Sequence, residues 1–223
     1  DQSWSFAAQS LTDGIESRVS AQTESAGALL VGIENPEVKE QLLAIYADHG
    51  ADDRAYGALE HFAKARTFQD LPSDDQQAYL SAFERSDFSS TTADALRHVA
   101  GLDSEVRQVA ATYVGSRDEA RVQSLSQLVQ DSKFQALDSG LQSDLLRASY
   151  AANVDAHARG CLANTAYSEN FQQLSPQEQR QTFAAFNRSE NNKESLALLQ
   201  SIATSDGFSE LSSEDRATML RSI

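Results

Sequence analysis

Phe134-Gln135-Ala136-Leu137, Phe171-Gln172-Gln173-Leu174 and Phe208-Ser209-Glu210-Leu211 repeat one phrase, F-x-x-L, at a spacing of 37 residues. Phe68-Gln69-Asp70-Leu71 is a fourth copy, and Val99-Ala100-Gly101-Leu102 a weaker one with valine in the aromatic position. A fixed period of this size marks a repeat architecture, in which one supersecondary unit recurs and buries its apolar face against its neighbours. A helix start follows each phrase. Ser175-Pro176-Gln177-Glu178 reads as a capping box, with proline where its missing N–H costs nothing. Ser212-Ser213-Glu214-Asp215 copies the layout, Ser73-Asp74-Asp75-Gln76 varies it by one residue, and Ser116-Arg117-Asp118-Glu119 reads as a further box.

Beyond the caps the spacing is helical. Gln179, Phe183 and Phe186 fall at i, i+4 and i+7, as do Gln76, Leu80 and Phe83, and Gln142, Leu146 and Ser149. A second stripe precedes each corner: Leu59 and Phe62, Leu125 and Leu128, then Leu196, Leu199 and Ile202. Near the start, Asn35-Pro36 is a cap with proline at the first helical position, and Gly50 is placed to end that helix. The sequence therefore predicts an all-α fold, a right-handed α-solenoid-like array of antiparallel helix pairs with about a dozen helices. Residues 1–34, with Trp4, Phe6, Leu11 and Ile15, are expected to form N-terminal capping helices. Residues 35–223 are expected to form the array, with units starting near 35, 72, 103, 138, 175 and 212 and the last unit incomplete. The opening Asp1 predicts an upstream piece, and the unfinished last unit is expected either to pack back as an unusual terminus or to belong to a longer polypeptide.

Composition narrows the function classes. Of 223 residues 33 are acidic and 18 are Lys or Arg, a net charge of −15 that argues against nucleic acid, whose phosphates call for clustered cations. The same charge suits a basic protein partner. No apolar run is long enough to insert in a membrane. One cysteine, Cys161, permits no internal disulfide and leaves the compartment open. Frequent Ser and Gln, with Arg outnumbering Lys, fit a bacterial secreted or effector protein.

Chemical motifs are sparse. His157 and Cys161 stand at i, i+4 near Asp155, but a metal site needs more ligands than this and no H-E-x-x-H occurs. The adjacent acids Asp52-Asp53, Asp74-Asp75, Asp118-Glu119 and Glu214-Asp215 sit at helix starts, where the helix dipole favours them. The reading is thus of no cofactor, no metal and no catalytic set. It predicts a non-enzymatic protein-interaction module, an acidic helical-repeat surface binding a protein with a basic face. Gln69, Gln135 and Gln172 beside the corners, with Asp74, Asp75, Glu214 and Asp215, are the candidate contact residues. Gln76, Gln142 and Gln179 are expected instead to bond the corner backbone. Two alternatives are an enzyme with a dispersed groove site, drawing on residues such as Tyr150, Asp155 and His157, and a structural spacer or regulatory segment. Oligomeric state stays open.

Overall fold

The computed structural model describes residues 24, 26–49, 52–151 and 154–222. Residues 26–29 are helical, and fifteen further helices and no strand are found among the described residues. They are α1 (Pro36–His49), α2 (Asp53–Ala63), α3 (Arg66–Gln69), α4 (Ser73–Arg85), α5 (Ser90–Val99), α6 (Ser104–Val114), α7 (Glu119–Gln130) and α8 (Ser132–Gln135). The chain continues with α9 (Ser139–Ser149), α10 (Ala156–Ala166), α11 (Glu169–Gln172), α12 (Pro176–Arg188), α13 (Lys193–Ala203), α14 (Asp206–Glu210) and α15 (Ser213–Ser222). The expected helices with Trp4, Phe6, Leu11 and Ile15, and the Gly50 stop, lie outside the described residues.

Short polar side chains start most of these helices, as capping chemistry requires. Asn35 Oδ1 accepts from Glu37 and Val38 N–H, Asp138 Oδ1 from Leu141, and Asn192 Oδ1 from Ser195. Ser175 and Glu178 form the reciprocal capping box. Two starts differ from the sequence reading. Asp118 caps α7, because Ser116 instead accepts the Asp118 N–H in the preceding turn. Ser73 makes no cap: it follows Pro72 as the first residue of α4, and its hydroxyl accepts from Asn35 at 2.9 Å.

Four corners are themselves helices of a single turn or little more, α3, α8, α11 and α14, each carrying its phenylalanine. Segments so short show no amphipathic period, which is why the sequence count was lower. Phe68, Phe134, Phe171 and Phe208 are all buried, and so is Val99. Elements well separated in sequence pack on each other. α1, α4, α6, α9, α12 and α15 make successive contacts in one row, and α5 packs on α7 as α10 does on α13. Near the start of the row, Phe62 stacks on Phe83 with centroids 4.6 Å apart, and Phe88 meets Phe83 edge-on at 5.5 Å. Phe88 thereby adds an aromatic beside the unit whose corner has only valine.

Candidate functional site

The eighth residue after each corner position is Gln76, Arg107, Gln142, Gln179 or Arg216. These long side chains reach back to the corner, whose carbonyls lie at a helix end with no intrahelical donor. Gln76 Nε2 donates to the carbonyls of Phe68 (3.0 Å) and Gln69 (3.1 Å). Gln142 donates to that of Phe134 at 2.9 Å, and Gln179 to that of Phe171 at 3.3 Å. Arg216 does the same work in the last unit, donating to the carbonyls of Ser209 (2.8 Å) and Leu211 (2.6 Å). Arg107 donates to Leu102 at 2.5 Å.

The candidate contact glutamines turn the other way, each onto the carbonyl six residues before it. Gln69 Nε2 donates to Ala63 (3.2 Å) and also to Val31 (3.0 Å), Gln135 to Val129 (3.1 Å) and Gln172 to Ala166 (3.1 Å). Gly32, at φ 85°, gives Gln69 room, since a Cβ there would collide with its amide. Each of these amides thus closes the end of the helix before its corner.

The two arginines add an electrostatic lock between units. Arg107 Nε donates to Asp75 Oδ2 at 2.7 Å and a second guanidinium nitrogen lies at 2.5 Å, while Ser104 Oγ stands 3.3 Å away. Arg216 Nε and Nη2 meet Glu178 Oε1 at 3.0 and 2.6 Å. Glu178 Oε2 is held by the Ser175 N–H and hydroxyl at 2.9 and 2.7 Å. Burial opposes the charge on Glu178, but the bonds from Ser175, Ser213 and Arg216 outweigh it and draw its carboxyl down to about 2. Asp75 was expected at the surface among the contact acids. It is 0% exposed, because Arg107 neutralises it between α4 and α6.

The two locked junctions agree in further detail. Arg85 Nη2 donates to the Ala111 carbonyl at 3.2 Å and Arg188 Nη2 to that of Leu220 at 3.1 Å. Ser86 and Ser189 each donate to a phenylalanine carbonyl three residues back at 2.7 Å. Left-handed pairs follow in both, Asp87-Phe88 and Glu190-Asn191. The sequence carried the signal as Ser104-Glu105-Val106-Arg107 against Ser213-Glu214-Asp215-Arg216, and Phe83-Glu84-Arg85-Ser86 against Phe186-Asn187-Arg188-Ser189. Reading for caps and apolar stripes passed over it.

Asp74, Glu214 and Asp215 are exposed, but they do not converge, since Asp74 lies on α4 and the other two on α15. Asp74 instead joins Glu37 and Glu40 around a groove of about 620 Å³ between α1 and α4. Gln41 bridges the groove to Ser81 Oγ at 2.9 Å, and Gln77 donates to Glu37 at 3.0 Å. No lysine, arginine or histidine lines it. Farther along the row the charges cancel: Arg147 meets Asp144 at 3.2 Å and Glu105 at 3.5 Å, and Arg180 meets Asp144 at 3.3 Å.

Of the residues named for a dispersed site, Tyr150 and Asp155 have local partners. Asp155 caps α10 through the Ala158 N–H at 2.8 Å. The Tyr150 hydroxyl donates to Ser124 at 3.3 Å, and its ring lies under Arg121 and Arg159. His157 Nε2 is 3.9 Å from Cys161 Sγ, but burial first, and the Asp155 charge second, push the thiol up. A thiol so placed is a poor nucleophile. Comparison with protein families, with curated proteins and with solved structures finds no match.

Proposed function

We propose that the chain is a right-handed α-solenoid-like array acting as a non-enzymatic interaction module, which takes a basic segment of another protein into the groove between α1 and α4. The repeat-on-repeat contacts of the first-helix row support the architecture, since arrays of this kind use the extended surface of their stacked helices for binding. One observation carries the assignment of the groove: Glu37, Glu40 and Asp74 line it together and no cation does. Like charges gathered in a concavity focus the potential and steer an oppositely charged partner.

Fluorescence anisotropy tests the reading with a labelled helix-forming peptide rich in lysine and arginine, set against an acidic control. The basic peptide is expected to bind the full chain and to lose affinity as salt rises from about 50 to 300 mM, where screening shortens to less than about 10 Å. The Glu37→Gln/Glu40→Gln/Asp74→Asn protein should bind it several-fold more weakly and with a shallower salt dependence. Affinity indifferent to both the triple variant and salt would remove the groove from consideration.

A further inference from the structure

Among the second helices of the pairs, α7 packs on α5 and α10 on α13, while α7 and α10 make no comparable contact with each other. Tyr150, just past the end of α9, reaches into the interval between them. It is 2% exposed, and its hydroxyl donates to Ser124 Oγ on α7 at 3.3 Å. Two guanidinium groups stand over its ring, Arg121 from α7 with Cζ 5.8 Å from the centroid and Arg159 from α10 at 5.7 Å.

Two half-buried cations gathered at one buried ring call for an anion, and the described residues supply none. The buried arginine contacts elsewhere, Arg107 with Asp75 and Arg216 with Glu178, are ion pairs. Neither Arg121 nor Arg159 forms one among the described residues. The acids beside them in sequence serve as helix caps: Asp118 Oδ1 accepts the Arg121 N–H at 3.1 Å, and Asp155 Oδ1 the Ala158 N–H at 2.8 Å. Arg121 spends only Nη2, on the carbonyls of Tyr150 and Ala151, and Arg159 only Nη1, on that of Val154 at 2.8 Å. A guanidinium carries five N–H donors, so most of these stay open. Arg159 Nε is buried and has no acceptor among the described residues. A buried donor without an acceptor is costly, the more so on a charged group.

We propose that Arg121 and Arg159 form a binding site for a phosphate group, free or carried by a small phosphate ester. Arg159 Nε and the unused nitrogens of Arg121 donate to separate phosphate oxygens. The Ser124 hydroxyl accepts from Tyr150 and keeps its proton for a further oxygen. Guanidinium forks suit the oxygen pairs of a tetrahedral anion, and charge-assisted bonds of this kind are short and directional. A phosphate held from both sides ties α7 to α10 where the helices themselves do not meet. The site uses no residue of the groove between α1 and α4, so neither assignment depends on the other.

Isothermal titration calorimetry of the full chain tests this with inorganic phosphate and glycerol 3-phosphate, against acetate at matched ionic strength. Saturable binding at one site is expected, with acetate at least about tenfold weaker because it lacks the third oxygen. Equal affinity for the two phosphates identifies free phosphate as sufficient, and tighter binding of glycerol 3-phosphate identifies an ester. NMR of the unaltered chain should shift the Nε–H resonances of Arg121 and Arg159. Those of Arg54 and Arg117, exposed arginines around a separate cavity beside Ser89 and Thr91, should stay in place. Arg159→Gln should weaken binding about tenfold or more, in line with a hydrogen bond to a charged group. The Arg54→Gln/Arg117→Gln protein and the triple groove variant should bind phosphate as the parent does. Absence of saturable binding by both phosphates, shifts spread over all the arginines, acetate binding as tightly as phosphate, or indifference to Arg159→Gln would overturn the proposal.

Discussion

Asp75 and Arg107 can be exchanged for a pair the protein already uses elsewhere, and the exchange tests whether the locks act as units. At the junction of α9 and α12 the positions equivalent to Asp75 and Arg107 hold Leu141 and Gln179, apolar against amide. Arg107→Gln alone keeps a donor for the corner but withdraws the counter-ion from a carboxylate that is 0% exposed. Breaking a buried pair from one side costs about 3–5 kcal/mol, because the remaining charge is stranded. Asp75→Leu alone should cost less, about 1–2 kcal/mol, since Arg107 is 14% exposed and can turn its guanidinium toward water. Asp75→Leu/Arg107→Gln should lie within about 1 kcal/mol of the parent, as replacing both members of a buried pair by well-packed neutral groups is often neutral. The coupling between the two sites is then at least about 3 kcal/mol, at the upper end of the range found for contacting residues. Urea unfolding of the four proteins, followed by circular dichroism, measures it. Additive effects, or single variants each costing under about 1 kcal/mol, would show that the ion pair is not what seats α6 on α4.

Two further expectations concern titration and reactivity. The Glu178 carboxyl is held at about 2 against an ordinary 4.5, so its contribution to stability is complete above 4.5 and is lost as pH falls from there toward 2. NMR should place its midpoint near 2 and find it raised in Arg216→Gln, while Glu178→Gln should remove that part of the acid destabilisation. Cys161 should react with a thiol-disulfide reagent at neutral pH at least about tenfold more slowly in the folded chain than in urea, since burial raises the thiol and blocks approach. A folded-state rate equal to the unfolded one would show that α10 leaves the sulfur open.

The helices and their corners were legible because apolar period and cap chemistry act locally, and local signals survive in a one-dimensional reading. Phe134 and Phe171 could be placed in the core from spacing alone, and the capping box at Ser175 from four consecutive residues. Asp75 could not, since its burial depends on Arg107, 32 residues away on a helix whose contact no local pattern encodes. The amides of Gln69, Gln135 and Gln172 posed the same difficulty on a shorter scale. A glutamine just past a corner looks exposed until the preceding helix end, with its open carbonyls, is placed beside it. The acidic groove was half visible: Asp74 was marked, whereas Glu37 and Glu40 lie on a separate helix that no local pattern ties to it.

The lock also says where such a gene can be cut and rejoined. A unit with a glutamine brace bonds its own corner, and its apolar contact to the preceding unit asks only for volume. A junction that buries an acid is different, because the arginine that neutralises Asp75 lies 32 residues further along the chain and the one for Glu178 lies 38. Asp75 and Arg107, and likewise Glu178 and Arg216, have to be inherited together. A duplication or deletion with its breakpoint between them would leave a stranded charge in the new junction, whereas one placed between α9 and α12 would join leucine to glutamine and cost little. Exchange of segments in this chain should therefore cost least where the junction is neutral, as it is between α9 and α12.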